Sequence, residues 1–221
     1  MTKEQDIIEH TVREVLADGV FLCVRLEADI PLVEACSAAV RGGLKVLEIT
    51  LTTPGAIDAI AHFAQAGEAI AGAGTVLTVD DVRAVAKAGG RFVLSPVFDP
   101  EVVDEAHRLG LLAVPGTSTP TEILAAHRHG ARLVKVFPAA NLGGAAYLRT
   151  IRGPLPGIPL VPTNGITADT IVEYVEAGAV AVGVGGEVFS KDFKMEHIEE
   201  AARRIRHAMD TARAHTQAHA S

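Results

Sequence analysis

Short apolar runs alternate with amphipathic helical stretches along the whole chain, and nothing else in the sequence constrains the fold as much. Strand-like runs fall at 20–25, 45–50, 69–73, 91–95, 111–115, 132–137, 159–163 and 180–185. Helical periodicity covers 4–17 ahead of the first run, then 30–41, 55–65, 79–88, 100–108, 120–129, 145–151 and 168–176 between runs, and 195–213 after the last. Strands separated by helices cannot pair as tight hairpins, so they read as parallel strands joined by crossover helices.

The punctuation between elements agrees with that parse. Asp99-Pro100 and Thr119-Pro120 each place a capping side chain before a proline at the first helical position, where its missing N–H costs nothing. Gly42-Gly43, Gly89-Gly90, Gly110, Gly130 and Gly178 stand where helices must stop before the next strand. Eight strand–helix units with short glycine turns predict an α/β fold, a single-domain (β/α)8 TIM barrel over residues 1–213 with an additional N-terminal helix. A doubly wound sheet is the alternative, but no Gly-rich dinucleotide fingerprint opens the first unit. Residues 214–221, rich in Ala, His, Thr and Gln, are expected to form a disordered tail.

At 221 residues, 48% of them hydrophobic, the chain can bury one sizeable core. It has no apolar run of eighteen residues, and Met1-Thr-Lys-Glu-Gln-Asp leads into helical periodicity, so no membrane span and a cytoplasmic location are expected. The formal net charge of −7 argues against nucleic acid as a partner. Cys23 and Cys36 read as small buried residues rather than a disulfide framework. None of the nine histidines falls at a strand end, so neither a metal nor a cofactor is expected, and the predicted partner is a small molecule.

In a barrel of parallel strands the chemistry gathers at the strands' C-terminal ends. Two residues there interrupt otherwise apolar runs: Glu48 in Val46-Leu47-Glu48-Ile49 and Lys135 in Leu133-Val134-Lys135-Val136. A lysine in such a run either snorkels to solvent or is enclosed, and enclosure favours the neutral amine that attacks carbonyl carbon. With a carboxylate sharing the pocket, the pair supplies a nucleophile and a general acid/base. The other reading is a buried ion pair serving only the fold, which is weak evidence of stability gain. Asn164-Gly165 and Gly185-Gly186, after the seventh and eighth runs, suit a phosphate held by backbone N–H groups, although glycine also simply permits a tight turn.

Val46-Leu47-Glu48-Ile49-Thr50-Leu51, Gly72-Ala73-Gly74-Thr75-Val76-Leu77, Ser95-Pro96, Val114-Pro115-Gly116, Lys135-Val136-Phe137-Pro138 and Pro162-Thr163-Asn164-Gly165-Ile166 follow one another in an order and spacing that resemble the 2-keto-3-deoxy-6-phosphogluconate (KDPG) / 4-hydroxy-2-oxoglutarate (KHG) aldolase family. The resemblance covers nearly the whole chain. It implies a metal-free class I aldolase, usually a homotrimer, with Lys135 forming a Schiff base and Glu48 handling protons. It further implies that Thr75 and Thr163 hold the pyruvyl end, that Pro96 and Phe137 wall the pocket, and that Gly165, Gly185 and Gly186 lie by the far end of the substrate.

Three positions depart from the family pattern. Thr52, expected to face the substrate, stands where many members carry an arginine for the pyruvate carboxylate, and Arg25 resembles the arginine of the branch acting on the phosphogalactonate isomer, which leads to the expectation that Arg25 supplies the guanidinium. Asn164 stands where glycine is usual. Glu187 follows Gly186 where serine is common, and its charge would repel a phosphate. The alternatives at this level are a 2-keto-3-deoxy-6-phosphogalactonate aldolase, a phosphate-binding barrel isomerase or synthase without Schiff-base chemistry, and a degenerate barrel acting as a subunit or sensor.

Overall fold

The computed structural model describes residues 2–27, 30–189 and 194–219. Helix α1 (Lys3–Asp18) precedes β1 (Val20–Val24), and the chain continues as α2 (Leu32–Arg41), β2 (Val46–Thr50), α3 (Ala56–Ala66), β3 (Ile70–Gly74), α4 (Val79–Lys87), β4 (Phe92–Leu94) and α5 (Pro100–Arg108). There follow β5 (Leu112–Val114), β6 (Gly116–Thr117), α6 (Pro120–Arg128), β7 (Val134–Val136), α7 (Gly144–Arg152), β8 (Leu160–Pro162), α8 (Ile171–Glu176), β9 (Val182–Val184) and α9 (Met195–His219). The expected caps are in place. Asp99 accepts from the Glu101 N–H, and Thr119 and Glu122 form a reciprocal capping box ahead of Pro120. Gly43, Gly89, Gly110, Gly130 and Gly178 take the left-handed conformation in turns that stop helices.

Every strand pair in the two sheets is parallel. One sheet runs β5-β4-β3-β2-β1-β9 and the other β6-β7-β8. Two stitches join them. The Lys135 N–H of β7 donates at 2.9 Å to the carbonyl of Pro115, the residue linking β5 to β6, and Thr163 bridges Gly183 where β8 meets β9. The parallel sheet therefore curls, with helices on its outer side.

The structure corrects several boundaries. The fifth run, expected as one strand at 111–115, divides into β5 and β6 because Pro115 has no N–H to give the ladder. Helix α8 begins at Ile171 rather than at 168, because Thr170 Oγ1 accepts the Thr167 N–H at 3.0 Å and holds a turn there. Helix α9 runs on through 214–219, where a disordered tail was expected, and residues 220–221 lie outside the described residues. Alanine and glutamine there are good helix formers. Among the described residues no helix is long and apolar enough to cross a membrane.

The two-residue period of the strands sorts the core into two layers. Val20, Leu22 and Val24 of β1, Leu47 and Ile49 of β2 and Val134 and Val136 of β7 face outward and pack with the helices. Phe21, Val46, Phe92, Leu94, Leu112, Val114, Leu133, Val161 and Ala181 form a separate inward-facing group. Ile8, Val12 and Val15 of α1 pack onto this inner group, so α1 closes it as an apolar plug. At its centre the Phe21 and Phe92 rings meet edge to face, with centroids 5.3 Å apart. Gly72 makes room for this contact, since a Cβ there would approach the Phe92 ring to 2.5 Å.

Phe92 is fully buried, and removing its ring leaves a cavity that close packing cannot refill. Phe92→Ala is expected to lower the unfolding free energy by about 3–5 kcal/mol, read from urea denaturation, with the denaturant slope unchanged.

Candidate active site

The same alternation that points Phe21, Val46 and Leu133 into the plug points the next inward residues, Cys23, Glu48 and Lys135, into the layer above it. Glu48 pairs across the sheet with Cys23 on one side and Gly72 on the other, and Lys135 with Gly116 and Val161. The Lys135 Nζ donates to Glu48 Oε1 at 3.2 Å, with the two side chains 7% and 1% exposed. Both ions are thus withdrawn from water and depend on one another. Gly74 leaves the space this needs, because a Cβ there would lie 2.5 Å from Glu48 Oε1. The second carboxylate oxygen, Glu48 Oε2, is buried without a hydrogen-bond partner among the described residues. The Phe137 ring lies beneath the amine, 5.4 Å from Nζ to its centroid.

Arg25 follows β1 and reaches across the strand ends, donating from Nη1 to Thr52 Oγ1 at 3.4 Å and from Nη2 to Thr75 Oγ1 at 3.2 Å. Thr75 holds its hydroxyl there from a left-handed backbone, φ +58°. Behind Arg25, Thr53 Oγ1 donates to Val24 O at 3.3 Å and accepts the Leu26 N–H at 3.2 Å, which fixes the backbone on both sides of the arginine. Thr50 Oγ1 lies 3.1 Å from Thr52 Oγ1 and 3.0 Å from Thr53 Oγ1, so hydroxyls run from the Glu48 strand to the guanidinium.

These residues open into a cavity of about 820 Å³. Its walls include Arg25, Glu48, Thr75, Pro96, Lys135, Phe137, Thr163, Asn164, Gly165, Gly185 and Gly186, so the structure brings together every expected site residue except one. The exception is Thr52, expected to face the substrate, which lies outside the lining and supports Arg25 instead. Asn164 and Gly165 turn the chain with φ +87° and +72°. The first of these angles explains an asparagine where glycine is usual, because a short polar side chain is the best tolerated substitute in the left-handed region. The Thr163 and Asn164 carbonyls accept the Ala139 and Ala140 N–H groups, at 2.9 and 3.3 Å, and so tie this turn to the segment after Phe137. Glu187 also lines the cavity, with its carboxylate held by the Ala168 N–H and Arg204.

Cys23 was expected only as a small buried residue, yet it lines the cavity beside Glu48. Inward alternation along Phe21, Cys23 and Arg25 is the signal that locates it. Burial, reinforced by the Glu48 charge, pushes its thiol up to about 12. Burial pushes the Cys36 thiol up to about 12 as well. Among the described residues, no group of three or more His, Cys, Asp or Glu is placed to hold a metal ion.

Comparison with known proteins agrees with this geometry. The family model described as KDPG and KHG aldolase matches residues 8–204. The 2-dehydro-3-deoxy-phosphogluconate aldolase of Treponema pallidum is 39% identical over 152 residues, covering 68% of this chain and 71% of that protein. The KHG/KDPG aldolase of Escherichia coli K12 is 35% identical over 168 residues, covering 76% and 77%. Among solved structures, the KDPG aldolase of Legionella pneumophila with pyruvate captured as a covalent carbinolamine superposes with a TM-score of 0.75 at 26% identity, covering 92% of this chain and 98% of that one.

The raised thiols generate a prediction. In the native protein at pH 8, Cys23 and Cys36 are expected to react with a disulfide reagent roughly a thousandfold more slowly than an ordinary thiol, because so little thiolate is present. Unfolding in guanidinium should release two reactive thiols, counted by absorbance.

Proposed function

Since this chain belongs to the KDPG and KHG aldolase family, we propose that Lys135 is its Schiff-base nucleophile and Glu48 its proton carrier. The protein is a class I aldolase, a lyase that breaks a carbon–carbon bond through a lysine imine. The observation that carries the assignment is the enclosed Lys135–Glu48 pair at 3.2 Å.

In this reading Glu48 takes a proton from the Lys135 ammonium, the freed amine attacks the ketone carbon of a 2-oxo-4-hydroxy acid to form a carbinolamine, and the proton handed back to the departing hydroxyl releases water and leaves a protonated imine. Glu48 takes the proton of the 4-hydroxyl, directly or through a water. The electrons of the bond between carbons 3 and 4 then move onto the imine, giving an enamine and a free aldehyde. Glu48 returns its proton to carbon 3, and hydrolysis of the resulting imine releases pyruvate and the lysine. Substrates in this reading are 2-keto-3-deoxy-6-phosphogluconate, 4-hydroxy-2-oxoglutarate or their relatives. Arg25, set by Thr52, Thr53 and Thr75, binds the carboxylate next to the ketone. Pro96 and Phe137 wall the pyruvyl end, and Thr163 borders it.

The same reading takes the curled sheet as a single-domain (β/α)8 barrel whose fifth strand is interrupted at Pro115, with α1 as an extra helix under its floor. The stitches at Lys135–Pro115 and Thr163–Gly183 support closure. It takes the working form as a cytoplasmic homotrimer. Leu77 and Val97, 51% and 53% exposed beyond β3 and β4, supply apolar surface of the kind an interface covers.

Borohydride reduction in the presence of pyruvate should add a reduced pyruvyl group to Lys135, located by peptide mass spectrometry. A barrel isomerase or synthase predicts no such adduct. Lys135→Arg should abolish both adduct and cleavage, while Glu48→Gln should slow cleavage by roughly 10²–10⁴-fold. Arg25→Ala should raise KM for the 2-oxo acid about tenfold or more, the expected effect of losing a charge-assisted carboxylate contact; unchanged pyruvate affinity would remove Arg25 from this role.

A further inference from the structure

The wall of the cavity formed by Asn164, Gly165, Ile166, Thr167, Gly185, Gly186, Glu187 and Phe189 has an electrostatic character of its own. Its charged side chain is Glu187, which is 16% exposed. Both carboxylate oxygens are engaged from behind. Oε2 accepts the Ala168 N–H at 2.8 Å, and Oε1 lies 3.2 Å from Nη2 of Arg204 on α9. This double hold fixes the position of the carboxylate and resists its swinging aside when a ligand enters.

No positive group stands opposite it among the described lining residues. The cations there are Arg25 and Lys135, the first bonded to Thr52 and Thr75 and the second to Glu48, and Arg204 itself does not line the cavity. A phosphorylated substrate with its ketone at Lys135 would bring a dianion toward the wall where Glu187 presents its carboxylate, with the compensating Arg204 set behind it outside the cavity lining. Repulsion in such a partly desolvated space is several-fold stronger than in water. A hydroxyl suffers no such penalty, and it can donate to the lone pairs that Ala168 and Arg204 leave free on Glu187.

Building on the aldolase reading, we propose that Glu187 is a specificity-determining residue. It sets the enzyme against substrates phosphorylated at the end distant from the ketone and toward unphosphorylated 2-oxo-4-hydroxy acids whose aldehyde portion carries neutral hydroxyls.

The test compares kcat/KM for a matched pair, 2-keto-3-deoxygluconate and its 6-phosphate, in the wild-type enzyme, Glu187→Gln and Glu187→Asp. The wild type should favour the unphosphorylated acid by about tenfold or more, a comparison that needs no variant. Glu187→Gln, which retains the acceptor for Ala168 but removes the charge, should cut that preference by about tenfold, mainly through a lower KM for the phosphate ester. Glu187→Asp should keep it. A wild type that favours the phosphate ester overturns the proposal. So does a Gln variant that weakens both substrates equally, which would make Glu187 only a tether between the β9 loop and α9. Borohydride trapping with pyruvate runs alongside on the wild type. An adduct with an unaltered substrate ratio sinks the Glu187 proposal alone, whereas no adduct sinks the aldolase reading and this proposal with it.

Discussion

Two opposite charges enclosed a few ångströms apart are the constraint around which the structure is arranged. Lys135 and Glu48 have given up hydration that their mutual attraction only partly restores, so neither can be stable here without the other and without a shaped surrounding. On β3, Gly72 clears volume in the plug for Phe92 and Gly74 clears volume above it for the carboxylate. The plug itself, closed by α1, keeps water from reaching the pair from below. Stability is thus concentrated in the lower layer and the outer shell, and the layer between carries an arrangement that would be costly anywhere else in the protein.

Much of this was legible in the sequence. Alternation of strand and helix signals, the proline-led caps and the glycine stops located the elements, and a charge inside an apolar run singled out Glu48 and Lys135, because such runs bury their neighbours on both faces. Less legible was anything that depends on what lies opposite. Pro115 reads as the end of a strand, and only the ladders on either side show that the strand resumes at Gly116. Thr52 reads as a strand-end side chain facing substrate, and its role behind Arg25 is visible only once the ends of β1, β2 and β3 stand together. Helical propensity at 214–219 was outweighed by the polar composition of that segment, yet the helix continues there.

The three departures from the family pattern share a physical logic. Thr52, Asn164 and Glu187 all sit just beyond strand ends, where a rigid scaffold tolerates changes of side chain without changes of backbone. Asn164 keeps the left-handed turn that glycine would otherwise provide. Thr52 and Arg25 together place a guanidinium over the strand ends from a different starting point. Glu187 brings its own partners, Ala168 and Arg204, so its charge is structurally accommodated rather than adventitious.

The apolar floor beneath Lys135 also imposes an order in time. A cup with one mouth works as a queue in which the last group to enter is the first to leave. With Lys135 as the proposed nucleophile, directly above the floor, a three-carbon fragment bound to it would occupy the deepest position, and the aldehyde formed on its outer side would stand between it and solvent. On that assignment release is sequential, aldehyde before pyruvate. Run in reverse, the enzyme must load pyruvate first and then accept its second reactant through the space pyruvate has just passed.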